Sequence, residues 1–522
     1  MRVRPVIASA GLVAGTLVAL SGTSAQAATT LYQAETSPAV CTGTIDSNWS
    51  GYTGNGFCNG VNAAGAYAQF TVTAPASGTA TLKVRFANGS TTARPASLIV
   101  NGSTVQTPSF EVTGAWSTWA TKTLTVQLKA GSNTIRLNPT TSGGLPNIDS
   151  LEVETGGSNP SPTGPALYVA PNGTDGAAGT ESSPTTLTSA ISRITPGGTI
   201  YLRGGTYRYS QTVTIPAGKN GTSGDRTELF AYPGETPVLN FSAQSEATSN
   251  RGLAVNASYW HVKGLVVERA GDNGIFVSGS NNVIERTVTR HNRDSGLQLS
   301  RALSSTPKDQ WPSNNLILSA QSHDNVDSDG EDADGFAPKL TVGPGNVFRY
   351  TVAHNNIDDG YDLYTKSETG PIGAVTIEDS LAYDNGTLSD GSQAGNGDRN
   401  GYKLGGDDIG VNHTVRRSIA YENGKHGFTY NRNLGRMTVS DNASIGNEER
   451  NFNFDGGSSV FRNNTSCNSG SNDRIIGDAD RSNQFWSGSN GSRCSSYSGA
   501  LDWSFASDGR LVVTFGGSTV TP

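Results

Sequence analysis

Six short β-forming runs, each closed by an asparagine, recur through the second half of this 522-residue chain and limit its fold more than any other feature. They read VIERTVTRHN, LILSAQSHDN, VFRYTVAHNN, VTIEDSLAYDN, HTVRRSIAYEN and MTVSDNASIGN, and they end at Asn292, Asn325, Asn356, Asn385, Asn423 and Asn447. Successive asparagines lie 33, 31, 29, 38 and 24 residues apart. A fixed motif at irregular spacing predicts one coil per repeat, with loops of varied length inserted on one side. Asparagines at equivalent turns of stacked coils can hydrogen-bond from one coil to the next as an amide ladder. The pattern is that of a right-handed parallel β-helix. A β-propeller, the competing architecture, would need four-stranded blades of roughly 40–45 residues with their own signature.

The repeat region opens with LYVAPNGTDG, a short helix over TTLTSAISRI and the strand-rich GGTIYLRGGTYR. That helix is expected to cap the open end of the stack and shield its edge. The body is placed at residues 166–522, its tail from about Trp503 forming a final edge strand or a small cap. Before it, residues 28–154 read as a β-sandwich of jelly-roll type. AYAQFTV, TATLKVRF, ASLIVNG, TKTLTVQL and NTIRLN are short alternating runs separated by Gly, Pro and Asn. The stretch 155–165, TGGSNPSPTGP, is a Gly/Ser/Pro linker. With 65 glycines and few helix formers, the whole chain is expected to be all-β.

Residues 1–27 have a charged start, an apolar core and an A-x-A end, which together predict a secretory signal peptide. No later stretch approaches the roughly 20 apolar residues that span a bilayer. The mature chain is therefore expected to be secreted and extracellular, with no membrane partner. Loss of Arg2 and Arg4 with the leader leaves 35 basic against 44 acidic side chains, a net charge near -9. That balance argues against nucleic acid as a partner, and an anionic substrate would need local help from a cation or a few arginines. Cys41, Cys58, Cys467 and Cys494 fall into two local pairs, 17 and 27 residues apart. In an exported protein these predict disulfides Cys41–Cys58 and Cys467–Cys494. Nothing in the sequence demands more than a monomer.

Chemistry concentrates where three repeats carry a glycine followed by an aromatic: ADGFAPK, IDDGYDLYTK and NGYKLGGDD. Aligning Gly335-Phe336, Gly360-Tyr361 and Gly401-Tyr402 puts Asp334, Asp359 and Asn400 in one column. Ala337, Asp362 and Lys403 fall in another, with Asp358 beside the first. Adjacent coils are about 4.8 Å apart, so four carboxylates would crowd together and repel unless a cation neutralised them. Oxygen-only ligands point to Ca²⁺. Asp-Gly turns are also common as plain polar turns, but two registered turns beside a registered lysine are not accounted for that way. Lys339, Lys366, Arg399, Arg416 and Arg417 are candidates for binding substrate carboxylates, Arg399 and Lys366 foremost. His323, His354 and His426 are read as structural or groove-lining.

Two resemblances sharpen this reading. The stretch from DADGFAPKLTVGPGNVF through HNNIDDGYDLYTKSETGPIGAVTIEDSLAYDNG to NGYKLGG resembles the family 9 polysaccharide lyases, β-helical calcium-dependent pectate lyases and their relatives. The resemblance implies calcium held by Asp334, Asp358, Asp359 and Asp362, and Lys403 as the base. It also implies an acidic plant cell-wall polysaccharide, pectate or rhamnogalacturonan, as the partner. A uronate is cleaved by removing H5 and expelling the C4 oxygen; a cation on the carboxylate acidifies H5, and a neutral lysine accepts it. A hydrolase of the same fold, or a non-catalytic glycan-binding protein, are the other classes. The first domain, from YQAE to NIDSLEVE, resembles the family 35 carbohydrate-binding modules. That resemblance implies a structural calcium on Gln33, Glu35 and Asp149, and a sugar site lined by Tyr52, Trp116 and Asn147. Of Trp116 and Trp119, Trp116 is expected to be the exposed one.

Overall fold

The computed structural model describes residues 28–521 except 64, 75–77, 130, 156–164 and 507. The expected leader at 1–27 and all but the ends of the expected linker lie outside the described residues. The chain divides into two compact units, the first drawn mainly from residues up to 158 and the second mainly from those after it.

The first unit is a pair of six-stranded antiparallel sheets. One is built on Asn147–Thr155, which pairs with Ala28–Gln33 and with Gly78–Ala87. The other is built on Arg94–Val100 and Gly131–Pro139. Alternation is clear in Ala68–Ala74, where Ala68, Phe70, Val72 and Ala74 are buried while the others face outward. Phe57, Phe70, Phe86, Phe110, Leu151 and Val153 fill the space between the sheets. The Cys41–Cys58 disulfide is formed.

The second unit is a parallel β-helix. Three ladders of 12, 10 and 10 strands run its length, and each joins strands from consecutive coils, here called rungs. The site lies on the third ladder, which includes Leu297–Leu299, Phe336–Pro338, Tyr361–Asp362, Tyr402–Lys403 and His426–Thr429. A helix at Leu187–Arg193, N-capped by Thr186, buries Leu187, Ala190 and Ile191 against the first rungs, as the sequence predicts.

The asparagine ladder is present at the turn between the second and third ladders. The Nδ2 atoms of Asn292, Asn325, Asn356, Asn385 and Asn423 each donate to Oδ1 of the next asparagine at 2.8–3.0 Å. Asn447 continues the run to Asn451 at 2.7 Å. Each acceptor oxygen also takes the preceding asparagine's backbone N–H, for example that of Asn356 at 3.3 Å on Asn385. This column explains the Gly-aromatic motif. A Cβ on Gly335, Gly360 or Gly401 would lie 2.8–2.9 Å from Nδ2 of Asn356, Asn385 or Asn423, and 2.6–2.7 Å from the next rung's carbonyl. Only glycine fits. The aromatics that follow turn inward and stack: Phe336, Tyr361, Tyr402, Phe428 and Phe452 have successive centroids 5.2, 4.7, 4.5 and 5.1 Å apart. With the aromatic inside, the next residue on each strand must point to the outer side of the ladder, where Asp362 and Lys403 meet under the covering loops.

Two elements differ from expectation. A second polar column, Thr351, Ser380, Ser418 and Asn442, links rungs at another turn through side-chain oxygens accepting backbone N–H groups. Its members change identity, so no repeat marks it. The tail does not cap the end of the stack. Leu501–Phe505, Leu511–Phe515 and Ser518–Val520 form an antiparallel sheet that lies along the outer face of the second ladder. There Val513 and Phe515 pack with Val352, Leu381 and Ile419, and Trp503 Nε1 donates to the Tyr383 hydroxyl at 3.0 Å. The reason is the alternation of LVVTF, whose apolar face matches the apolar outer face of those strands. The Cys467–Cys494 disulfide is formed.

Candidate active site

Pairing on the third ladder sets Phe336 against Tyr361, Tyr361 against Tyr402 and Asp362 against Lys403, the register expected from the Gly-aromatic steps. Asp334, Asp358 and Asp359 offer oxygens all within 4.8 Å of one another. Asp334, Asp359 and Asp362 have 0%, 0% and 3% exposure, so these charges are out of bulk water.

Backbone N–H groups orient Asp334, Asp358 and Asp359. Asp334 Oδ1 accepts the Asp359 N–H at 3.2 Å, and its Oδ2 accepts from Ser295 Oγ at 3.1 Å. Asp358 Oδ1 accepts the N–H of Arg399 at 3.2 Å and that of Asp398. Asp359 Oδ1 accepts the Asn400 N–H at 2.7 Å and Asn400 Nδ2 at 2.9 Å. Asp362 Oδ1 is buried with no hydrogen-bond donor, and Asp359 Oδ2 is met only by the Lys403 ammonium. Burial, followed by mutual repulsion, pushes Asp334 and Asp358 well above the usual carboxylate range, and Asp359 up to about 6.

Two lysines offset part of this charge. Lys339 Nζ, buried, lies 2.7 Å from Asp334 Oδ2 and 3.3 Å from Asp362 Oδ2. It is paired with two cage carboxylates while also lining the cleft. Lys403 Nζ lies 3.1 Å from Asp359 Oδ2, 3.8 Å from Asp362 Oδ2 and 3.1 Å from Asp398 Oδ2. Burial alone would lower its pKa, but Asp362, Asp359, Asp358 and Asp398 together hold it well above the ordinary lysine value. With all six groups ionised, four carboxylates against two ammoniums leave two negative charges. The donor set fits a divalent hard cation: oxygen atoms only, one of them buried and unpartnered, with a charge deficit of two.

Asp398 was not found by sequence reasoning. It comes from the long loop before Asn400, and Lys425 Nζ also contacts it, at 2.9 Å. Burial works against its ionisation, but Lys403 and Lys425 hold it down at about 2. The cage opens on a cleft of about 420 Å³ whose lining includes Lys403, Asp362, Asp398, Tyr364, Lys366 and Arg432. Lys366 is exposed at the lip. Arg399 is not among the lining residues: its chain lies against Gly386 and Gly424, with NH1 3.7 Å from Glu448. Arg416 and Arg417 are engaged with Glu378, and Arg417 with Asp379, on the first ladder. His323 and His354 stack at 4.8 Å on the second ladder.

In the first unit, Gln33, Glu35 and Asp149 converge on the loop at 53–55. Thr53 Oγ1 donates to Gln33 Oε1 at 3.2 Å and to Asp149 Oδ2 at 2.9 Å, and the Asn55 N–H donates to Glu35 Oε1 at 2.8 Å. Arg85 NH1 contacts Asp149 Oδ2 at 3.0 Å, and Glu35 Oε2 is buried without a donor. Tyr52 packs at 5.8 Å on Phe57, and Asn147 is buried at the start of its strand. The two tryptophans do not divide into one buried and one exposed, as expected: both are half-buried. Trp116 lies under the Arg94 guanidinium, and Trp119 sits edge-on to Phe57.

Comparison with known proteins places both units. Residues 167–468 match the family described as Pel9A-like, right handed beta helix region, and residues 33–155 match carbohydrate binding module family 6. The first unit is thus a carbohydrate-binding module, matched by the family 6 description where the sequence reading named family 35. Pectate lyase L of Paenibacillus polymyxa (strain SC2) is 55% identical over 322 residues, 61% of this chain and 72% of that protein. The crystal structure of pectate lyase Pel9A superposes with a TM-score of 0.57 at 31% identity, covering 69% of this chain and 88% of that one. Endo-1,4-beta-xylanase B of Cellvibrio japonicus (strain Ueda107) is 49% identical over 116 residues, 22% of this chain and 19% of its own length. A family description that covers most of the stacked rungs and a relative matched over most of its length lead to one conclusion: the chain belongs to the Pel9A-like right-handed β-helix family and is a polysaccharide lyase of the pectate lyase type with an N-terminal carbohydrate-binding module.

Proposed function

We propose that this protein is a secreted, calcium-dependent lyase that cleaves polygalacturonate by β-elimination, with Lys403 as the base. The observation that carries the reading is the pairing of Lys403 with Asp362 on adjacent rungs, at the mouth of a buried carboxylate cage that lacks a divalent charge. Asp334, Asp358, Asp359 and Asp362 would hold Ca²⁺, which when bound supplies electrostatic neutralisation of the uronate carboxylate and so acidifies H5. Lys403 is positioned by Asp359 and Asp398 with its amine facing the cleft. Neutralising Asp358, Asp359 and Asp362 would remove most of the charge that holds its pKa up, leaving Asp398 against burial, and burial favours the neutral amine that a base must be. Lys403 would take H5, and the C4 oxygen would leave without water being consumed. Lys339 keeps Asp334 and Asp362 facing one another. Lys366, exposed at the lip, would meet a neighbouring uronate. An alkaline optimum is expected, because the working form of Lys403 is the deprotonated one.

In the module, Glu35 Oε2 needs a partner, which supports a structural calcium on Gln33, Glu35 and Asp149. Tyr52 and Trp116 offer partly open aromatic faces for a sugar, and the finer family 35 resemblance would make a uronate-ended glycan its ligand. Both disulfides suit an oxidising, extracellular setting, and the names of the relatives point to plant cell-wall pectate as the target.

The test is the ultraviolet absorbance of unsaturated uronide from polygalacturonate and, in parallel, rhamnogalacturonan I, with Ca²⁺ and with EGTA. A calcium-dependent rise on polygalacturonate is expected. A rise only on rhamnogalacturonan would reassign the substrate, and new reducing ends without absorbance would overturn the elimination.

A further inference from the structure

Tyr364 is the cleft residue that neither the cage nor the base accounts for. It lies two residues beyond Asp362, where the strand has ended, and its ring is half-exposed at the wall of the cleft. The ring lies against the backbone of the next rung at Gly406. A Cβ on Gly406 would come within 2.2 Å of Tyr364 Cε2 and 2.3 Å of Cδ2, so the ring has the space that any other residue at 406 would fill.

The neighbouring loop locks this placement. The Tyr364 hydroxyl donates to Asp407 Oδ1 at 2.9 Å. Asp407 Oδ2 accepts the Ser367 N–H at 2.9 Å and Ser367 Oγ at 3.0 Å, and Thr365 Oγ1 donates to the Gly406 carbonyl at 2.8 Å. Asp407 and Asp408 both have left-handed backbone, with φ of 55° and 57°. Two such residues in succession carry a backbone cost that the bonds around Tyr364 and Ser367 offset. The hydroxyl is already engaged, so what the side chain offers the cleft is its ring. Lys403 Nζ is 5.5 Å from the ring centroid.

We propose that Tyr364 is an aromatic platform for the pyranose ring of the uronate that loses its proton, and that it selects the galacto configuration. The inference rests on the lyase reading above. In a galacto-configured pyranuronate, O4 is axial on one face, while the C–H groups at C3, C4 and C5 form an apolar patch on the other. H5 belongs to that patch. Stacked on Tyr364 through C3 and C4, with C5 past the ring edge on the side of Lys403, the sugar turns H5 to Lys403 and the leaving O4 to the opposite side, antiperiplanar to H5. Lys403 accepts the proton, the C5–H electrons form the C4–C5 double bond, and O4 departs with the C4–O electrons. A gluco- or manno-configured uronate has an equatorial O4 and no continuous patch of this kind.

The experiment compares Tyr364→Ala, Tyr364→Leu and Tyr364→Phe with the unaltered enzyme in calcium, measuring kcat and KM on polygalacturonate and on polyglucuronate. Unfolding temperature and calcium affinity serve as checks on the fold and the cage. Tyr364→Ala and Tyr364→Leu are expected to lose about three- to tenfold in kcat/KM on polygalacturonate, the scale of one aromatic stacking contact. Their preference for galacturonan over glucuronan should narrow by the same factor. Tyr364→Phe, which keeps the ring, should stay within about twofold. Equal losses for the Phe and Ala variants would overturn the platform in favour of the hydroxyl tether. An Ala variant with unchanged kcat/KM and preference would also overturn it, while leaving the lyase reading intact. Absence of calcium-dependent elimination in the unaltered enzyme would instead remove the lyase reading on which the inference rests.

Discussion

Asn385→Ala removes one step of the asparagine ladder, and its cost can be worked from the bonds it breaks. Asn385 is fully buried. Its Oδ1 accepts the Asn356 N–H at 3.3 Å and Asn356 Nδ2 at 3.0 Å, and its Nδ2 donates to Asn423 Oδ1 at 2.8 Å and to the Ala353 carbonyl at 3.2 Å. Some of the bereaved groups keep a second partner: Asn356 Nδ2 still reaches the Ser322 carbonyl, and Asn423 Oδ1 still takes the Asn385 N–H. The Asn356 N–H and the Ala353 carbonyl lose these partners without water at hand. Leaving a buried polar group unsatisfied costs roughly 1–3 kcal/mol, so the variant should lose about 4 kcal/mol, or roughly 4–8 °C in Tm. Scanning calorimetry in calcium buffer at fixed scan rate would measure it, with exposed Asn490→Ala as the control. The Asn385→Ala, Asn423→Ala pair should cost less together than the sum of the two alone, because the second removal acts on a column already broken. A Tm within about 1 °C of the unaltered protein would refute the reasoning.

Other outcomes follow from the site and the core. Lys403→Ala should cut kcat by at least about 10²–10⁴, and Lys403→Arg should rescue little, since a guanidinium does not deprotonate. Calcium affinity of Lys403→Ala, measured by titration calorimetry, should rise while turnover collapses, because a positive charge has left the cage. His413 is wholly buried, accepts the Val375 N–H at 3.1 Å, and is pushed down to about 3 by burial. Its folded pKa lies below the unfolded value, so the unfolded chain binds the extra proton. Stability is complete above the unfolded value of about 6.5 and falls as pH drops from there toward about 3. At pH about 4.5 the loss from this group should be about 2–3 kcal/mol, and urea midpoints of His413→Gln should show a flatter pH dependence.

Much of this was legible in the sequence because the repeat makes chemistry and geometry coincide. The six asparagines named the turn, and the Gly-aromatic steps named the register, since the asparagine column excludes a Cβ and the ring stack fixes which residues face out. Asp334, Asp359, Asp362 and Lys403 follow from that register alone. What was missed lies where the repeat is silent. Lys339 follows its glycine by four residues like any surface lysine, and only the structure shows it turned back onto Asp334. Asp398 and the Tyr364 cradle depend on how loops of unequal length fold across one another, which period and composition do not encode. The Thr351–Asn442 column does with hydroxyls and amides what the asparagine ladder does with amides, so no single letter recurs. The two tryptophans share their burial because Arg94 and Phe57 cover one side of each, and no pattern in TGAWSTWA announces those partners.

The helix at Leu187–Arg193 closes the first rung, and within the stack each inner strand pairs with the rung before and the rung after. Each coil is therefore a template for its successor, and growth can proceed from the N-terminal end without waiting for the C-terminal one. For a chain threaded through a membrane from its N-terminus, this is a vectorial route: early coils can set while later ones are still in transit. The cage spans the coils that carry Asp334, Asp359 and Lys403, midway along that order, so catalytic competence would arrive only once half the stack is laid. The outer sheet at 501–520, which clasps coils already laid down, would lock last.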